Sequence, residues 1–201
     1  GESLENVNVN VYEMDENGNY NNNVAGDYVN ESDSGKYFIG LPDGCFQARF
    51  YYSTNEIPSH IELTHNFCVT SEDYTYDGHM QQMETPSQFS GYIYDEENVG
   101  LSDAYVHIWG DAILPDNTTQ YLNFTIYTDE SGYYEADMPN GSYQADAHKS
   151  GYVEADNSNI DIYLEDNSFS HDFILRETTS SISGYVYDAI SGESLESVNV
   201  N

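Results

Sequence analysis

The chain has 201 residues, and its 36 aspartates and glutamates face only 4 lysines and arginines, a formal net charge of −32. That balance excludes unaided binding to nucleic acid, where cationic side chains must replace phosphate counterions. It disfavours an anionic membrane surface, and no apolar run is long enough to insert into a bilayer.

Charge of this size suits high salt, where screening is short-ranged, or weakly bound Ca²⁺ and other divalent cations. The 20 tyrosines and 8 phenylalanines, with regular apolar alternation, argue against the disorder that such charge otherwise brings. Two modules of ordinary domain size fit the length. Gly1 reads as a processed or arbitrary start, so an export signal would lie outside these residues.

In chain order, Val7, Val9 and Val11 alternate with Asn8, Asn10 and Tyr12, the period-two pattern of a half-buried strand. An Asn-rich loop follows at 17–23. Ser34-Gly35-Lys36-Tyr37 and Leu41-Pro42-Asp43-Gly44 mark two further turns. Residues 1–88 are read as a sandwich module that lacks its first strand.

Residues 89–181 carry the same order in full. Phe89, Gly91 and Ile93 share one strand face, with Ser90, Tyr92 and Tyr94 on the other. Ala104, Val106 and Ile108 oppose Tyr105, His107 and Trp109 on the next strand, and Leu122, Phe124 and Ile126 point inward on a third. Turns fall at 129–132 and 139–141, and the last strands at 160–164 and 170–175. Leu41 to Ala48 matches Met138 to Ala145 at a constant offset of 97 residues. Short strands, Gly/Pro/Asn turns and no helical periodicity predict an all-β fold of tandem, seven-stranded antiparallel β-sandwiches.

Residues 182–201 open a further module. Ile182-Ser183-Gly184-Tyr185-Val186-Tyr187-Asp188 matches 89–95, and 192–201 repeat 1–10 with only Ser197 in place of Asn6. The period from Gly1 to Gly192 is 191 residues. The first module is therefore split across the repeat boundary, and its opening strand comes from the preceding period.

In this register, 182–188, Gly192-Glu193-Ser194-Leu195 with its Val-x-Val strand, 128–134 and 138–143 resemble the carboxypeptidase regulatory-like family of transthyretin-like, Ig-like sandwiches. The resemblance implies a non-catalytic extracellular domain, used in tandem or appended to a surface protein. Related surface-pilin domains form a Lys–Asn isopeptide bond, but neither opening strand here holds a lysine, so no such cross-link is expected. The exported setting favours a disulfide between Cys45 and Cys68, with two buried thiols as the alternative.

Asn-x-Ser/Thr sequons at Asn123, Asn117, Asn30 and Asn140 are candidate acceptors of covalent N-glycans, or ordinary polar residues. Asp15 with Asn17 and Asp129 with Ser131 resemble fragments of calcium loops but lack the glutamate at the twelfth position, so turn chemistry is the better explanation of them. The outward aromatics Tyr92, Tyr94, Tyr105 and Trp109, with Tyr12, Tyr185 and Tyr187 in matching places, are either a contact surface or a sheet face dressed in good strand formers. His60 and His65 are expected on opposite faces of one strand, and the six histidines show no metal-like clustering. No acid–base pair, nucleophile triad or phosphate loop stands out, so no catalysis is expected.

These features point to a structural extracellular protein whose partner is itself. It would be the repeating unit of a cell-surface fibre or stalk, with 182–187 and Val7 and Val9 at the joint between periods. The alternatives are a carbohydrate-binding or adhesin module, or an accessory domain of a secreted hydrolase.

Overall fold

The computed structural model describes residues 3–15, 18–52, 57–154, 159–180 and 183–195. The fold is all-β, and the alternating segments form its strands. β1 (Val7–Met14), β2 (Tyr20–Val29), β3 (Gly44–Tyr52) and β4 (Leu63–Val69) make one antiparallel sheet in the order β2-β1-β3-β4. We call this module A.

Module B is a complete sandwich. One sheet holds β6 (Tyr105–Ile113), β7 (Thr119–Tyr127), β9 (Gly141–His148) and β11 (Ile160–Leu164), in the order β11-β9-β6-β7. The facing sheet is built on β5 (Ser87–Asp95). β8 (Tyr133–Met138) pairs with β5 antiparallel, while β12 (Ser168–Ser170) and β13 (Phe173–Glu177) pair with it in parallel. The short β10 (Tyr152–Glu154) extends the sheet beyond β13. The expected all-antiparallel arrangement thus gives way at β5, because the last strands return alongside the first.

The two modules bury apolar surface very differently. Module B closes over Phe89, Ile93, Val106, Ile108, Leu122, Met138, Ile162 and Leu175, all 2% exposed or less. Phe89 and Ile93 come from β5 and fill the space between the sheets. Module A has the sheet equivalent to β11-β9-β6-β7 and no regular facing sheet among the described residues. Its seven buried apolar residues among the described residues all come from β1, β2 and β3. Residues 36–41, the match of β8, form no strand, since the partner against which β8 pairs in module B is missing among the described residues.

The linker ties the modules together. Ile61 N–H donates to Gln81 O at 2.8 Å and Met83 N–H to Ser59 O at 2.9 Å, and Met83, Ile57 and Ile61 pack onto module B's core. Glu62 N–H donates to Gln120 Oε1 at 2.9 Å. No described helix is long and apolar enough to cross a membrane.

Candidate functional site

The unfaced side of module A is a groove of about 580 Å³. Its floor is the inward face of the sheet, including Val9, Val11, Ala48, Phe67 and Val69, and its walls are residues 35–41 and 72–77. Val9 is fully buried and Val7 5% exposed, so both are core residues beneath the groove, as the alternation of β1 dictates.

The walls keep the geometry that surrounds β5 in module B. Tyr134 Oη donates to His171 O at 2.6 Å, and Tyr37 Oη donates to Tyr76 O at the same distance. Tyr37 lies 97 residues before Tyr134. Tyr76 lies 95 before His171, the offset set by the pairing of Gly44 with Val69 and of Gly141 with Leu164. Burial raises the pKa of both phenols, and the carboxylates of Asp77 and Asp172, again 95 apart, raise them further.

The turn below is held alike. Ser71 N–H donates to Asp43 Oδ1 at 2.7 Å, and Asp166 N–H donates to Asn140 Oδ1 at 2.9 Å. Ser71 and Asp166 both have positive φ, 54° and 50°.

A copy of the hairpin that opens module B is exposed at 183–195. Leu195 N–H donates to Val186 O at 2.9 Å, as Leu101 N–H donates to Ile93 O at 2.8 Å. Asp188 Oδ1 accepts from the N–H groups of Ile190 and Ser191, as Asp95 Oδ1 accepts from those of Glu97 and Val99. The Ser191 and Ile190 N–H bonds hold the Asp188 carboxyl below its usual range. Residues 183–195 thus copy the hairpin that opens module B, but without its packing. Tyr185 is 83% exposed, Ile190 98% and Val186 42%, whereas Ile93, the match of Val186, is fully buried. No atom lies within 4 Å of where a Cβ on Gly184 would stand.

The remaining residues singled out from the sequence fall elsewhere. Ile182 and Asn17 lie outside the described residues. Cys45 and Cys68 sit opposite each other on β3 and β4 and are joined. Both are exposed, so the reading as buried thiols does not apply. Asn123, Asn117 and Asn30 are exposed, whereas Asn140 is half-buried, with its Nδ2 donating to Asp166 Oδ1 at 2.8 Å. Asn30 caps a short turn by accepting from Ser32 N–H.

Asp15 and Asp129 of the calcium-like fragments make local turn hydrogen bonds. Asp15 accepts from Asn19, and Asp129 accepts from Ser131 and Tyr133. The Ser131 hydroxyl bond, then the Tyr133 N–H, lower the Asp129 pKa.

Two expectations are corrected. Tyr92 and Tyr94, stacked with centroids 5.3 Å apart, lie on β5, while Tyr105 and Trp109 lie on β6. Those strands belong to different sheets, so these aromatics dress opposite outer faces and form no single surface. His60 is outside the strands and pairs with Gln82. His65 lies on β4 and stacks on Tyr76 at 3.6 Å, on the groove side.

The histidines also cluster where none was expected. His107, Asp146 and His148 offer three donor atoms within 4.8 Å of one another on the outer face of β6 and β9. His107 Nε2 faces Asn123 Oδ1 at 2.9 Å, and the Trp109 ring lies tilted beside His107 with centroids 4.8 Å apart. Imidazoles with one carboxylate are donors that borderline divalent ions accept. Only strand register brings these residues together, since His107 and Asp146 are far apart in sequence.

No protein-family model matches the chain, and no curated protein sequence matches it. Solved structures resemble it distantly. The minor pilin GBS52 of Streptococcus agalactiae aligns over 92% of this chain and 88% of its own, at 11% identity and a TM-score of 0.40. The shaft pilin SpaA of Lactobacillus rhamnosus GG aligns over 89% and 90%, at 14% identity and a TM-score of 0.34. The 3-chlorocatechol 1,2-dioxygenase of Rhodococcus opacus 1CP aligns over 46% of this chain at 16% identity and a TM-score of 0.35, and the match spans 59% of the enzyme.

Proposed function

We propose that this chain is the repeating unit of an extracellular structural fibre or stalk, in which acidic β-sandwich modules follow one another end to end. One observation carries the reading: the same opening hairpin occurs twice, packed inside module B and projecting unpacked at 183–195, while module A lacks it. A chain that repeats its own opening hairpin and second strand with a period of 191 residues is suited to serial connection. The turn signatures at 128–134 and 138–143 support a carboxypeptidase regulatory-like module as the brick. The exposed sequons at Asn117 and Asn123 are the sites we assign to N-glycans. The net charge of −32 fits a saline exterior and loosely held divalent cations.

Electron microscopy of native surface material labelled with an antibody to module B tests this. Filaments labelled at a regular axial interval are expected. Label confined to dispersed monomers overturns the fibre. A carbohydrate-binding tandem has one feature in its favour, the aromatic lining of the groove by Tyr37, Phe67, Tyr74 and Tyr76. That reading requires glycan-array binding that a Tyr74→Ala change abolishes.

A further inference from the structure

Resting on the fibre reading, we propose that residues 183–195 of one period complete the open groove of module A in the next, with Gly184 setting the register. Module B supplies the finished form. There β5 lies between β8 on one edge and β12 and β13 on the other, and the Tyr134–His171 hydrogen bond crosses it on the core side at Gly91. A Cβ on Gly91 would stand 1.7 Å from His171 O and 2.8 Å from Tyr134 Oη, so only glycine passes. The bond between Tyr37 and Tyr76 repeats this crossing with no strand present. The residue matching Gly91 in Ser90-Gly91-Tyr92 is Gly184 in Ser183-Gly184-Tyr185.

The rest of the register follows from the pairs in module B. Gly91 faces Tyr134 and Tyr92 faces Tyr133, so Gly184 faces Tyr37 and Tyr185 faces Lys36. Tyr92 N–H donates to Asp172 Oδ1 at 2.9 Å, and Asp77 stands ready for the N–H of Tyr185. Ser87 Oγ donates to Asn140 Oδ1 at 2.7 Å, and Ser180 matches Ser87 as Asp43 matches Asn140. Val186 then fills the place of Ile93 above Val9 and Val11. The contacts of β5 at Ser87, Gly91 and Tyr92 thus have counterparts in module A, and Ser180, Gly184 and Tyr185, which match them, are exposed.

The duplication also fixes how the two pieces connect. Leu101 fills one place in module B, and both Leu4 and Leu195 match it. Leu4 already packs against the core of module A. Two copies with one place are reconciled when they are one residue, so Leu195 of one period is Leu4 of the next in a continuous polypeptide.

Cysteine pairs in the 201-residue chain test the register. In module B the Tyr92 and Tyr133 rings stand 5.1 Å apart on the outer face, so Lys36→Cys with Tyr185→Cys should cross-link separate chains into a ladder on oxidation at high salt. Lys36→Cys with Val186→Cys, whose side chain turns to the core, should not. Adding Gly184→Val to the first pair should cut cross-linking at least tenfold, while unfolding of module B, followed by Trp109 fluorescence, stays unchanged because Gly184 touches nothing there. Equal cross-linking by both pairs, no cross-linking by either, or indifference to Gly184→Val overturns the joint. The fibre reading fails separately: absence of native filaments alongside a register-specific ladder sinks the fibre and leaves the joint standing. Native filaments that survive Gly184→Val sink the joint and leave the fibre.

Discussion

The crossing at Gly91 shows what one residue decides. Tyr134 is 1% exposed, and its hydroxyl reaches the His171 carbonyl across β5. A buried phenol needs such a partner, since an unpaired hydroxyl in an apolar core costs more than the bond returns. Removing it by Tyr134→Phe leaves the ring in place and deprives the carbonyl of a donor. The expected loss is about 1–3 kcal/mol of module B stability, seen as a lower urea midpoint by fluorescence of Trp109, the chain's single tryptophan. An unchanged midpoint would mean the bond contributes nothing. The sequence marks Gly91 and Gly184 as members of a repeated string, but their role is invisible there, because the oxygen that excludes a Cβ comes from a residue some eighty positions away. His107, Asp146 and His148 escape the sequence for the same reason.

At the level of elements, alternation was enough to place β1, β5, β6 and β7 and to orient their faces. It was blind to pairing. Nothing in 168–177 says that these residues lie parallel to β5, and the three-residue strands β10 and β12 are too short to show a period. Residues 36–41 match β8 at the 97-residue offset yet form no strand, because a strand needs a partner and none lies beside them among the described residues. Module A is correspondingly the weaker element, with one sheet and a small core, and the bridge between β3 and β4 matters more to it. Reducing Cys45–Cys68, 23 positions apart, should destabilise module A by roughly 3 kcal/mol through the freed chain entropy of its unfolded state. Hydrogen exchange should speed up in 44–52 and 63–69 while β5 to β9 stay protected. Equal loosening of both modules would show that they unfold as one unit.

For the whole molecule, charge and assembly meet at the joint. The groove wall contributes Glu72, Asp73 and Asp77, and the hairpin brings Asp188 and Glu193. Lys36 is the one cation lining the groove among the described residues. Docking therefore sets like charges against each other while burying apolar side chains, and the balance depends on screening. The Debye length is about 10 Å at 0.1 M salt and about 3 Å at 1 M, so repulsion across the joint fades over that range while apolar burial persists. Association of the 201-residue chain, measured by sedimentation, should rise steeply from 0.1 to 1 M and do so equally in NaCl and KCl, since screening depends on ionic strength rather than ion identity. Replacing Asp73 and Glu72 with Asn and Gln should shift the curve to lower salt without changing its plateau. Association that weakens as salt rises would mean the contact is held by ion pairs, which a strand docking into this acidic groove cannot supply.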